Sequence, residues 1–470
     1  MANKKNSYSI EEVIKDSKTN DEFMQFNLLS NWCWVKLGVL AEFIDYRGKT
    51  PKKTTEGIRL ITAKNIRMNK LKFEPLEFIS EEDYDNWMTR GIPKKGDILL
   101  TTEAPLGNVA ELDTDEKVAL AQRVITLVPK DAVHNRYLKI ILQSPQLQHV
   151  LSKNSTGTTV SGIKASRLKD IKIPLPPFNE QKRIAEKVKR LLSKIEDAKH
   201  LIEEVKETFE LRRAAILDNA FRGRLGTNED DEYSMMGAIG KDNCISKVDK
   251  LYEVPENWVY VKLGKVVEFQ GGSQPPKSVF KDEQLDGYIR LIQIRDFKSD
   301  KFKTYIPKEL ARRTFDENDV MIGRYGPPVF QILRGLSGAY NVALMKAIPI
   351  NNLMDNDYLY YFLQVPFIQN PVIKDSHRTA GQTGIRKELI EDFVIGLPPL
   401  NEQKRIVEKV ERLLDKMEFE KISTQIAMHK LEELKQSILS KAFQGELGTN
   451  DPNKENTIEL LKKILQEQVK

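Results

Sequence analysis

The strongest pattern in the chain is a stripe of apolar residues at helical spacing, and it occurs twice. In the first run Ile184, Val188, Leu191, Ile195, Ala198, Ile202, Val205 and Phe209 alternate steps of four and three, the a/d spacing of a coiled-coil seam. The second run is less regular: Ile406, Val410, Leu413 and Met417, then polar Glu420 and Thr424, then Ala427, Leu431, Leu434 and Ile438. Pro176-Pro177 and Pro398-Pro399 precede the runs and force an extended approach. Asn179 and Asn401 suit N-caps, and Glu180 and Glu402 follow where the helix dipole favours an acid. No Gly or Pro interrupts either run before Gly223 and Gly445, the expected stops. This predicts two helices of roughly 43 residues, about 65 Å each. A narrow stripe buries little against a globular surface, so the two helices are expected to pack on each other.

Shorter alternating runs flank the helices and also repeat. Asn31-Trp32-Cys33-Trp34-Val35-Lys36-Leu37-Gly38 returns as Asn257-Trp258-Val259-Tyr260-Val261-Lys262-Leu263-Gly264, and reads as a strand. Ile58–Thr62 returns as Ile289–Gln293, Gly96–Leu100 as Asn318–Ile322, and Tyr137-Leu138 and Tyr358-Leu359 open matching short helices. The helical copies align without a gap at an offset of about 222 residues, and such a repeat organises the whole reading. The expected division is an N-terminal extension at 1–27, a mixed α/β unit at 28–173, a long helix at 174–228, a polar linker at 229–253, a second unit at 254–395, a second long helix at 396–450 and an amphipathic tail at 451–470. The extension holds a short amphipathic segment around Ile10, Val13 and Ile14. The tail, with Ile458, Leu460, Leu461, Ile464 and Leu465, is expected to dock on the body or on another protein.

The helix openings read Leu-Pro-Pro-Phe-Asn-Glu-Gln-Lys-Arg-Ile and Leu-Pro-Pro-Leu-Asn-Glu-Gln-Lys-Arg-Ile. In duplicate and at this spacing, the motif resembles that of the specificity subunit of type I restriction–modification systems. The resemblance implies an α+β chain with a pseudo-two-fold internal repeat: two target-recognition domains separated by two long helices that pair as an antiparallel coiled coil. It implies that each domain reads one half of a split, asymmetric double-stranded DNA target. It further implies that the helix pair sets the domains' separation and carries two modification subunits, which hold S-adenosylmethionine and methylate adenine N6. Two restriction subunits, consuming ATP with Mg, would join them. No cofactor is expected in this chain itself.

Composition changes this picture little. The chain has 470 residues and a formal charge of +6, which suggests a nucleic-acid partner only weakly. The two cysteines form neither metal spacing nor a disulfide framework, and the five histidines are scattered without HExxH. No run of 18 apolar residues suggests a membrane span, and the polar start is not a signal peptide, so a cytoplasmic protein is expected. Leu175-Pro176-Pro177-Phe178 approaches the Pro-Pro motif of amino-methyltransferases. Leu175 and Leu397 nevertheless lack the acceptor that such chemistry needs, and no P-loop is present. Glu81-Glu82-Asp83 reads as solvated surface. The chain is therefore expected to be non-catalytic.

Base edges are read by Arg, Lys, Asn, Gln, Ser and Thr, and phosphates by Lys, Arg and hydroxyls. In the first unit the candidates are Arg47, Lys49, Lys52 and Lys53; Thr62, Lys64, Asn65 and Arg67 after a strand; Thr102, Gln122 and Arg123; and Thr156 and Thr158. In the second they are Ser273, Gln274 and Lys277; Gln293 and Arg295; Arg324, Tyr325 and Asn341; and Arg378, Gln382, Thr383 and Arg386. A solvated loop explains any one of them equally well. Polar segments recurring at equivalent places in both copies favour the group, while the unlike loops between shared landmarks suggest one frame presenting two surfaces. An adaptor binding protein or RNA, with the coil as spacer, is the alternative, and it would show no salt-sensitive duplex binding. A self-contained adenine methyltransferase is disfavoured by the missing motifs.

Overall fold

The computed structural model describes residues 14–16, 27–46, 50–121, 123–157, 161–229, 231–246, 252–326, 328–376, 384–451 and 457–469. The chain divides into two compact units, residues 1–202 with 426–470 and residues 203–425.

In the first unit the strand Cys33–Lys36 pairs antiparallel with Lys172–Leu175, Cys33 lying opposite Leu175. This joins the start of the domain to the residues just before Pro176-Pro177, and the central helix, Phe178–Ala220, follows at once. A four-stranded sheet runs in the order Ala41–Asp45, Val124–Pro129, Ile98–Thr102, Leu106–Glu111. A smaller sheet has Ile58–Ile61 between Phe78–Ile79 and Val118–Leu120. Ile184, Val188 and Ile195 join the core with Leu37, Leu100 and Tyr137, as do Ile438, Leu439, Ala442 and Phe443 near the end of the C-terminal helix, Leu400–Gln444. The tail helix Thr457–Val469 seats Leu461, Ile464 and Leu465 in the same core. Burying a side chain of that size contributes about 1.5–3 kcal/mol. Of the N-terminal extension, Ile14 packs on this core and Asp16 pairs with Lys172 at 2.7 Å; Ile10 and Val13 lie outside the described residues.

The second unit repeats the plan. Val259–Lys262 pairs antiparallel with Val394–Leu397, Val259 opposite Leu397. Its main sheet runs Val267–Gly271, Leu344–Pro349, Val320–Gly323, Gln331–Leu333, the same order as in the first unit. Phe221 packs edge-on against Tyr358 and Phe362, with centroids 4.9 and 5.4 Å away. Residues 229–253 are more than a polar linker: Met236–Ile239 is a short helix, and Met235 and Ile239 are buried in this unit's core. Gly223 and Gly445 stop the helices with φ of +71° and +77°, and a Cβ at either would come within 2.3 Å of Pro255 or 2.6 Å of Leu29.

The long helices run antiparallel. In the first unit Lys199 pairs with Glu432 at 3.0 Å, and Lys187 reaches the Leu447 carbonyl at 2.6 Å. In the second, Arg212 pairs with Glu420 at 2.8 Å, and Lys409 reaches the Leu225 carbonyl at 2.7 Å. Ile184, Val188, Ile195, Ile406, Val410 and Met417 are buried, and Leu191, Ile202, Leu413 and Leu431 half-buried. The expected seam needs correction at two places: Val205 is 41% exposed and Leu434 51%. In both, the residue one position on, Lys206 or Lys435, is the half-buried one. Steps of four-then-three and three-then-four fit the same helix, and a lysine stem can fill an apolar position while its ammonium stays in water.

Candidate nucleic-acid interface

The repeated motif builds the framework that holds each candidate surface. Glu180 is fully buried and accepts the Trp32 indole N–H at 3.0 Å, with the Thr449 hydroxyl at 3.4 Å. Glu402, equally buried, accepts from the Trp258 indole at 2.8 Å, Asn228 Nδ2 at 2.9 Å and the Thr227 hydroxyl at 3.3 Å. Gln181 accepts from the His134 backbone N–H and Gln403 from that of Asp355, each at 2.8 Å. Arg183 and Arg405 donate to the carbonyls of Thr449 and Thr227, each at 2.9 Å. The hydrogen bonds from Arg405 hold the Glu232 carboxyl below its ordinary range. Each Glu-Gln-Lys-Arg head is thus fastened to the tryptophan just before the first strand of its domain and to the Gly-Thr-Asn end of the other repeat.

Above this framework the first unit presents a strand end. Thr102 closes the strand Ile98–Thr102; its N–H donates to the Arg123 carbonyl at 2.9 Å. Arg123 stands at positive φ, +74°, and its Nε pairs with Glu103 at 2.9 Å, both side chains exposed. Lys52 is exposed, whereas Lys53 pairs with Glu77 at 2.8 Å. Lys64, Arg67 and Thr156 are exposed, and Thr156 bridges Gly162 through the backbone. Two expectations are corrected here. Asn65 is 2% exposed and Thr102 also 2%, so their side chains are framework and not surface. Asn65 spends its oxygen on Thr62, at 2.9 Å from both its N–H and its hydroxyl, and its Nδ2 on the Pro75 carbonyl. The residue types that read bases are also those that close turns.

At the equivalent strand end of the second unit the chemistry differs. Arg324 lies with its guanidinium 5.3 Å from the Tyr325 ring centroid, and its buried Nε has no hydrogen-bond partner among the described residues. Tyr325 is 38% exposed and leans on Gly384, where a Cβ would stand 2.8 Å from the ring. Gln274, Lys277 and Arg295 are exposed, Arg295 near the Phe302 ring. Ser273 and Asn341 are turn residues: the Ser273 N–H donates to the Tyr340 carbonyl, and Asn341 Oδ1 accepts from Ala343. Gln293 takes part in a reciprocal cap with Asp296. Arg386 is held by Asp375 at 2.8 Å. Arg47, Lys49, Gln122, Thr158, Arg378, Gln382 and Thr383 lie outside the described residues.

The family model described as the type I restriction modification DNA specificity domain matches twice, over residues 30–207 and 255–428. The chain belongs to that family. Specificity subunits recognise DNA and are not themselves the catalytic subunits of their systems. The EcoBI specificity subunit of Escherichia coli is 30% identical over 353 residues, 71% of this chain and 70% of that one. The EcoKI specificity subunit of Escherichia coli K12 is 26% identical over 340 residues, 68% and 67%. The crystal structure of the HsdS subunit from Thermoanaerobacter tengcongensis shares the fold with a TM-score of 0.62 at 20% identity, covering 90% of this chain and 99% of that one.

In this specificity subunit three carboxylates escaped the sequence reading as controls on the surface: Glu77 on Lys53, Asp375 on Arg386, and Glu103 as the ion-pair partner of Arg123. No local spacing announces the first two. The Trp–Glu locks did carry a signal, since a donor and an acceptor each recur in both copies. No helix among the described residues is long and apolar enough to cross a membrane.

Proposed function

We propose that this specificity subunit reads a bipartite, asymmetric duplex target, one half per unit. On this reading it assembles with two modification subunits, which bring S-adenosylmethionine and methylate adenine N6, and with two ATP-dependent restriction subunits, in the cytoplasm. The observation that carries it is one frame with unlike chemistry at the same strand end: Thr102, Glu103 and Arg123 in the first unit, Arg324, Tyr325 and Ala343 in the second. Carboxylates accept from cytosine N4 and arginine pairs with guanine, so unlike residues on like frames suit unlike half-targets. The solvated candidates Lys52, Lys277 and Gln274 fit phosphate and groove contacts around them.

The test is methylation mapping in a host with and without the gene, followed by exchange of residues 29–172 for the corresponding unit of a relative. One half of the methylated motif should change and the other stay. Simultaneous change of both halves, or no gene-dependent motif, would contradict the proposal. The role of the helices is tested by inserting one heptad into each, which lengthens them by about 10 Å and should widen the preferred spacer by up to about three base pairs at ~3.4 Å each.

A further inference from the structure

Both units contain one turn that the strand-end chemistry leaves unexplained. In the first, Ile58–Ile61 runs into Thr62-Ala63-Lys64-Asn65, and Asn65 Oδ1 accepts the Thr62 N–H at 2.9 Å while the Asn65 N–H returns to the Thr62 carbonyl at 3.0 Å. In the second, Tyr288–Ile292 runs into Gln293-Ile294-Arg295-Asp296, and Asp296 Oδ2 accepts the Gln293 N–H at 2.6 Å while the Asp296 N–H returns to the Gln293 carbonyl at 3.0 Å. Different side chains close the same loop. Asn65 and Asp296 are buried, 2% and 4% exposed, and anchor it.

What the turns hold out is alike in charge. Lys64 on the turn and Arg67 on the short strand Ile66–Arg67 that follows it are exposed in the first, Arg295 and Lys298 in the second. Ile294–Phe297 is a 3-10 helix with Lys298 as its C-cap, and residues three apart on such a helix stand along one edge. Among the described residues none of these four pairs with a carboxylate, whereas the candidates Lys53, Arg123 and Arg386 do.

We infer that Lys64 with Arg67, and Arg295 with Lys298, are paired contacts to the duplex phosphates, a sequence-independent seat common to both units. The inference rests on the proposal that the units bind duplex DNA. It goes further by separating the groups that hold the duplex from those that read it. Lysine and arginine exchange places between the copies: Lys64 corresponds to Arg295, and Arg67 to Lys298. The planar guanidinium fork and the compact ammonium present different donor geometries, so what the two copies share at these positions is positive charge. A phosphate accepts either cation. The neighbouring strand ends change chemistry between copies, as readers of different half-targets would, while the turns keep sign and spacing.

The experiment uses the full-length chain assembled with its modification subunits. Two double variants, Lys64→Ala/Arg67→Ala and Arg295→Ala/Lys298→Ala, are titrated across salt against a duplex carrying the mapped motif and a random duplex of equal length. Each should lose affinity by the same factor on both duplexes, and the slope of log affinity against log salt should fall by up to about two, near 0.9 per contact. The exchange variant Lys64→Arg/Arg67→Lys should keep both affinity and slope, and also controls for folding. Loss confined to the motif duplex, failure of the exchange variant on that duplex alone, or unchanged slopes in the alanine variants would overturn the inference. A wild-type assembly that binds neither duplex would instead remove its premise, and with it the proposed function.

Discussion

Trp258 donates its indole N–H to Glu402 across 2.8 Å, and both residues are buried. A buried hydrogen bond contributes about 0.5–1.5 kcal/mol, and without this one Glu402 still accepts from Asn228 and Thr227. Trp258→Phe keeps an aromatic ring while removing the donor. It should therefore lower the stability of the second unit by about 0.5–1.5 kcal/mol, read by calorimetry or by hydrogen exchange of the helix head. A loss under roughly 0.5 kcal/mol, the range of an ordinary surface change, would mean that the lock contributes little.

The two buried tyrosines at equivalent positions differ in one bond. The Tyr137 hydroxyl donates to the Pro174 carbonyl at 2.7 Å, whereas the Tyr358 hydroxyl finds no partner among the described residues. Burial pushes both phenols well above their ordinary pKa, so both stay neutral. Tyr137→Phe should cost about 1 kcal/mol. Tyr358→Phe should be neutral or stabilising, since it removes a buried hydroxyl with no compensating bond. Equal losses in denaturant unfolding of the two variants would contradict the contrast.

At the interface, exposure and pairing rank the cations. Arg324→Ala should relax discrimination at one base pair of one half-target, by about 1–3 kcal/mol. Lys52→Ala should weaken every duplex alike, and Lys53→Ala should do so less, because Glu77 already holds that ammonium. Binding measured over single-base variants of the mapped motif separates these roles. If Arg324→Ala weakens motif and random duplex equally, it is not a reader.

His134 gives the first unit a pH dependence. Burial first, then the nearby charges of Arg136 and Lys182, lower its pKa below the ordinary 6.5. The unfolded chain therefore binds the proton more readily than the folded one between that lowered value and 6.5. Stability is full above this window and declines as pH falls through it. His134→Gln keeps the backbone N–H that donates to Gln181 and removes the titration. The variant should gain on the wild type as pH drops from 7.5 to 5 in thermal unfolding; parallel curves would reject the assignment.

The long helices were legible because their signals are local: apolar steps of four and three, a Pro-Pro start and a Gly stop. The repeat of strands and short helices was legible for the same reason, as each copy annotates the other. The seam slipped at Val205 and Leu434 because a lysine stem competes for the same helical face, and periodicity counts only apolar types. Glu180 and Glu402 read as dipole-favoured acids, but their burial depends on tryptophans far away in sequence, beyond any window. Asn65 and Thr102 had the right chemistry for a base edge, and nothing in their neighbourhood reveals that one closes a turn inward and the other faces the inside of its sheet.

The lock of Glu180 by Thr449 also sets an order of manufacture. The first unit is discontinuous: it needs residues 426–470, including Phe443 and the tail helix, to complete a core begun by residue 32. The second unit, residues 203–425, is continuous. On the ribosome, at roughly 5–20 residues per second, the intervening segment takes on the order of ten to forty seconds to emerge. The domain synthesised first is thus the last to be sealed, and for that interval its face for Phe443 and the tail stays open to whatever waits at the exit tunnel.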